Sequence, residues 1–192
     1  MMTKQKLTKP QKWIIIGIPA LFLLGAVFHF LYDFTGKISW IGIFSPVNES
    51  IWEHMKMSLF PVMGWWGIYF MIKNKEHQIN KNVWFTSALL SLVVTLLTMP
   101  LVFYFYRGAF GIEGPSLFTL IFDIFILLLS VTCGQLSGFH FYKYSKGINF
   151  IFAIILILFI MVSFVIFTFF PPRLPIFYDT LNKNYGIFQH TL

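Results

Sequence analysis

The chain has 192 residues, of which 14 are Lys or Arg and 7 are Asp or Glu, so only 11% is charged while 57% is hydrophobic and 20% aromatic. An average soluble domain is about 25% charged, which excludes a soluble globular enzyme, and this much apolar mass excludes intrinsic disorder. One cysteine, Cys133, excludes an internal disulfide framework and any multi-cysteine metal centre.

A helix needs about 20 apolar residues to cross a bilayer core of ~30 Å, and five stretches come close. They predict an all-α, polytopic membrane helix bundle that occupies residues 1–192 as one domain. The first span, residues 13–34, follows Lys4, Lys6, Lys9 and Lys12. Its apolar run exceeds the ~7–15 residues of a signal peptide and no small-residue cleavage site follows Ala26, so it reads as a retained helix. The second span, residues 46–72, opens on a polar lead, with Ser45 as N-cap and Pro46 at the first helical position. Pro61 should kink it, because proline removes a backbone donor. The third span, 82–106, is uncharged. The fourth, 115–142, carries Asp123 and the close-packing pattern Gly134-x-x-x-Gly138. The fifth, 147–171, has no ionisable residue. Residues 172–192 form an extracytoplasmic tail. Its prolines 171, 172 and 175 and its apolar Ile176 and Phe177 predict that it folds back over the outer mouth, with Arg173 reaching toward a carboxylate.

Charge sets the orientation. With the N-terminus inside, Lys4, Lys6, Lys9, Lys12, Lys73, Lys75, Lys81, Lys143 and Lys146 are cytoplasmic, against Lys37, Arg107, Arg173 and Lys183 outside. Positive charge stays inside, so the expected topology is five transmembrane helices, N-in and C-out. The lipid bilayer is then the expected partner. Topology absorbs the basic surplus and leaves no nucleic-acid surface.

Six of the seven acids, all but Glu76, fall on the outer side or in the outer half of the spans: Asp33, Glu49, Glu53, Glu113, Asp123 and Asp179. At ~1.5 Å per residue, His29, Glu53, His54 and Asp123 all lie roughly 8–12 Å below the outer helix ends. Ionisable groups at depth are costly and face a bundle interior or a wet cavity. On one helical face Glu49, Glu53 and Lys56 share positions i, i+4 and i+7, followed by Gly64; Gly25, His29 and Asp33 line up likewise on the first span. His54 is turned ~100° from Glu53.

Imidazole and carboxylate ligands suit zinc, iron or manganese. His29, Glu53, His54 and Asp123 are the candidate ligands, with Glu49 and Glu53 as catalytic carboxylates. A site of this kind would act as a hydrolase or transferase on a lipid-linked or otherwise hydrophobic substrate. Two other readings of the same residues stay open. One is a small transporter or substrate-binding membrane subunit that uses them for ions or ligand; the other is a non-catalytic protein in which they only join helices.

The stretch from His29 through Asp33, the segment Ser45-Pro46-Val47-Asn48-Glu49-Ser50-Ile51-Trp52-Glu53-His54-Met55-Lys56, and the tail Pro171-Pro172-Arg173-Leu174-Pro175-Ile176-Phe177-Tyr178-Asp179 with Tyr185-Gly186-Ile187 carry a resemblance. Together they resemble a family of small bacterial multi-pass membrane proteins of unknown function. The resemblance covers nearly the whole chain and implies an integral protein of the bacterial cytoplasmic membrane. It brings no reaction and no assigned residue with it.

Overall fold

The computed structural model describes residues 6–112, 114 and 116–187. Lys4, Glu113, Pro115 and residues 188–192 of the expected tail lie outside the described residues. Among the described residues, six α-helices, two short 3₁₀ turns and one small hairpin follow one another.

Helix α1 (Lys9–Phe34) starts four residues earlier than its apolar run, because Thr8 and Gln11 form a capping box and Pro10 sits in the first turn. After a 3₁₀ turn (Ile41–Ile43) and an irregular stretch come α2 (Ile51–His54) and α3 (Lys56–His77). Then α4 (Lys81–Phe110), α5 (Leu117–Tyr144) and α6 (Phe150–Phe169) complete the bundle. Among the described residues, α1, α4, α5 and α6 are long and apolar enough to cross a membrane. At 22 residues α3 is ~33 Å long, but it is less apolar than the other long helices and is not in that set.

The region expected to begin the second span as one helix from Pro46 is built differently. Ser45 is not the N-cap. Its hydroxyl donates to the Phe28 carbonyl at 2.6 Å and accepts from the Tyr32 amide at 3.1 Å. Those two backbone groups would otherwise close one turn of α1, so the serine is inserted into that helix's ladder beside His29. The chain turns helical only five residues later. Asn48 Oδ1 accepts from the Ser50 amide at 3.0 Å, and Ser50 Oγ caps the amide of Glu53 at 3.3 Å. Glu49 therefore precedes the helix and does not share a face with Glu53. Gly64, expected on that same face, is exposed with open space around it.

Small residues pack the centre as expected. Gly134 and Gly138 of α5 lie against Ser87, Ser91 and Thr95 of α4, where a Cβ on Gly134 would meet the Ser91 carbonyl at 2.5 Å. The hydroxyls of Ser87 and Thr95 fold back onto the carbonyls of Val83 and Ser91, so α4 presents a flat surface there. Gly25 of α1 approaches the Met57 carbonyl of α3, a group that Pro61 cannot bond as the residue one turn on. The pair Trp65-Trp66 is packing: Trp65 stacks on Trp13 at 4.0 Å and each indole donates to the other's backbone carbonyl.

The tail folds back onto the bundle. A 3₁₀ turn (Pro175–Phe177) leads into β1 (Tyr178–Asp179), which pairs antiparallel with β2 (Asn184–Tyr185), Asp179 opposite Asn184. Trp52 of α2 lies between Phe164 of α6 at 4.1 Å and Phe177 at 4.6 Å. Gly186, at φ +62, lies where any Cβ would meet the Pro171 ring at 2.9 Å, so no other residue fits. The Ile187 amide then donates to the Thr168 carbonyl. Arg173 is exposed and has no carboxylate within ion-pair distance among the described residues.

Candidate functional site

Three side chains from three segments converge where the irregular stretch meets α1. His29 of α1, Glu49 of the stretch and His54 of α2 each offer a ligand atom, and these atoms lie within 4.8 Å of one another. His54 Nε2 is 3.4 Å from Glu49 Oε2. His54 Nδ1 is 2.9 Å from the Ser50 carbonyl. The imidazoles of His29 and His54 stack with centroids 5.2 Å apart, and His29 Nδ1 is buried without a partner among the described residues.

The trio stands in the partition between two cavities, and Glu49 lines both. The larger, about 220 Å³, has Glu49, His54, Arg107 and Asp123 among its polar walls and Ile51, Met57, Met99, Phe103, Leu120 and Leu127 among its apolar ones. The smaller, about 110 Å³, is polar, bounded by His29, Tyr32, Asp33, Lys37, Asn48 and Asn182. The turn of the tail hairpin closes both: Thr180 and Leu181 line the first, Asn182 the second.

Asp123 of α5 also lines the larger cavity. Tyr106 donates its hydroxyl to Asp123 Oδ1 at 2.8 Å, and Arg107 Nε donates to the same phenol oxygen at 3.1 Å. Arg107 Nη2 stands 3.8 Å from Asp123 Oδ2. Asp33 is exposed and paired loosely with Lys37 at 3.9 Å.

Glu53 is placed elsewhere. Its carboxylate is buried, with Oε2 taking the Lys56 ammonium at 2.6 Å and the Val47 amide at 3.0 Å, and Oε1 taking the Thr168 hydroxyl at 3.3 Å. Lys56, fully buried, also donates to the Gly42 carbonyl at 2.7 Å. The partners of this buried pair all come from within the fold, and neither cavity is lined by Glu53. Its task is to tie the irregular stretch and α3 to α6.

Asp179, fully buried, holds Glu49 in place from behind. Its Oδ2 accepts from the Glu49 amide at 3.1 Å and from Asn182 Nδ2 at 2.7 Å, while Oδ1 accepts from the amides of Leu181 and Asn182. Asp179→Ala leaves four donors without their acceptor. At about 1–3 kcal/mol for an unsatisfied buried group, the variant should melt several degrees below wild type in detergent; an unchanged melting temperature would show that the hairpin does not buttress this stretch.

A helical bundle in which four of the described helices are long and apolar enough to cross a membrane has the build of a multi-pass membrane protein, and the polar trio sits within it beside the larger cavity. The chain belongs to the DUF6512 family, a family of unknown function, whose model matches residues 2–187. No curated protein and no solved structure gives a match. The membership agrees with the resemblance to a family of unknown function carried by the 45–56 segment and the tail.

Proposed function

We propose that this protein is a membrane-embedded, metal-dependent hydrolase or transferase acting on a lipid-like substrate, with a divalent cation held by His29, Glu49 and His54. The observation that carries the reading is how His54 is oriented. A backbone carbonyl only accepts, so Nδ1 beside the Ser50 oxygen bears a proton. Nε2 is then the atom facing the Glu49 carboxylate, and a bare lone pair there would repel it. A proton or a metal cation between them removes that repulsion. A proton satisfies one such pair and asks for no third donor; His29 is a third donor. Fixing one ring nitrogen on a carbonyl while the other binds metal is the usual arrangement of histidine ligands. Bonds of about 2.0–2.1 Å to zinc put tetrahedral ligand atoms roughly 3.4 Å apart, which is the His54–Glu49 separation.

A cation there would supply an activated water. The chain's part would be to present the scissile group from the larger cavity, with Asp123 on that cavity's wall to hold a proton, and to bring water from the smaller, polar cavity that Glu49 also lines. Purification without chelators, followed by elemental analysis, tests the site. Near-stoichiometric zinc, iron or manganese is expected in wild type, with at least tenfold less in Glu49→Ala and His54→Ala but retention in Glu53→Gln. Metal-free wild type from cells supplied with all three metals would end the proposal.

The five-span, N-in and C-out topology belongs to the same proposal. It is supported by the clustering of positive charge at one end. Lys9 pairs with Glu76 at 3.6 Å, Lys73 with the same carboxylate at 2.6 Å, and Lys81 lies over Phe150 at 5.4 Å, so the starts of α1, α4 and α6 and the end of α3 share one side with these lysines. Reporter fusions after Ile187 should read as extracytoplasmic; a cytoplasmic reading would remove α3 from the spans.

A further inference from the structure

We infer that the larger cavity takes a single-chain amphiphile with an anionic oxyacid headgroup, and that Arg107 holds that headgroup. A guanidinium offers five N–H donors and no acceptor. Among the described residues, Arg107 uses one of them in a hydrogen bond, Nε to the Tyr106 phenol. Its approach to Asp123 at 3.8 Å is too long for a second. The guanidinium lies 4.4 Å over the Phe103 ring, which fixes its plane, and both residues line the cavity. A planar fork held rigid with unused donors at the edge of an apolar cavity matches a carboxylate or phosphate.

Charge points the same way, and here the inference rests on the metal reading. Glu49 and Asp123 alone leave the cavity walls with one surplus negative charge beside Arg107. A divalent cation on the trio reverses that to one surplus positive charge, which an anionic headgroup balances. The cavity's apolar walls include Met57, Met99, Leu120 and Leu127, with the hydroxyl residues Ser116, Thr119 and Thr180 also among the lining. Leu120, one of the lining residues, is also 58% exposed, and an acyl chain entering from the hydrocarbon would pass it. About 220 Å³ lies below the ~300–1,000 Å³ of pockets that enclose drug-sized ligands, which leaves room for part of one chain and not for two.

Native mass spectrometry of the full chain from a nonionic detergent, after incubation with laurate, lauroyl lysophosphatidate or monolaurin, tests this. At least tenfold greater retention of either anion over monolaurin is expected, and which anion leads tells whether the headgroup is carboxylate or phosphate. Arg107→Gln should erase the preference without changing metal content, and Arg107→Lys should keep part of it. Equal retention of monolaurin by metal-bearing wild type overturns this inference and leaves the metal reading standing. Metal-free wild type overturns the metal reading, and overturns this inference too if the anion preference is absent; a preference that persists without metal supports Arg107 as the headgroup residue on its own.

Discussion

Lys56→Met protein should melt far below wild type. The substitution removes the ammonium that sits 2.6 Å from Glu53 and leaves a carboxylate that is 2% exposed without a counter-charge. Breaking a buried pair from one side costs about 3–5 kcal/mol, because the remaining charge stays desolvated. For a chain of this size each kcal/mol corresponds to about 2–4 °C, so a fall of roughly 6–20 °C in detergent is expected. The double variant Glu53→Gln, Lys56→Met removes both charges and should recover more than half of the loss. A double variant no better than the single would mean that the pair does not carry the coupling drawn here. Metal content should be unaffected in whatever fraction of either variant folds, since neither residue lines a cavity.

Gly134→Val is expected to be the most damaging change on the α4–α5 interface. A first side-chain carbon at this position already meets the Ser91 carbonyl at 2.5 Å and crowds the Thr95 hydroxyl. A backbone carbonyl cannot rotate away, so the two helices must separate along their length. Overpacking of this kind typically costs about 1–3 kcal/mol and occasionally more. Gly64→Ala supplies the contrast, since nothing lies within 4 Å of that position; there the better helix propensity of alanine should stabilise by up to about 1 kcal/mol. Melting temperatures that move in the same direction for both would contradict this packing.

The bundle was legible because its causes are local in sequence. Long uncharged runs and the glycine pair on α5 each state their role within a few residues. The polar segment was harder for a definite reason. A serine followed by proline is a good helix start on propensity alone, but Ser45 is captured by a backbone carbonyl 17 positions earlier. That long-range bond delays the helix to Ser50 and puts Glu49 beside His54, while Glu53 turns to Lys56. No periodicity argument could separate the two glutamates once a continuous helix was assumed. A ligand role for Glu53 rests on that continuous helix. Its Lys56 neighbour at i+3 was the available hint that it had a partner already. Asp179 and Arg107 were visible as charged residues in a chain with few, yet their places depend on contacts spanning 130 and 16 positions, which no local pattern announces.

The hairpin turn that walls both cavities has a consequence for how the protein is made. Glu49 leaves the ribosome long before Asp179, its anchor 130 positions later. Until that segment is made and docked, the histidines, the carboxylate and both hollows lack the turn that walls them. A chain released before Asp179 therefore carries His29, Glu49 and His54 but none of the enclosure that the tail supplies, so the order of synthesis makes the hairpin the last piece of this region to be set.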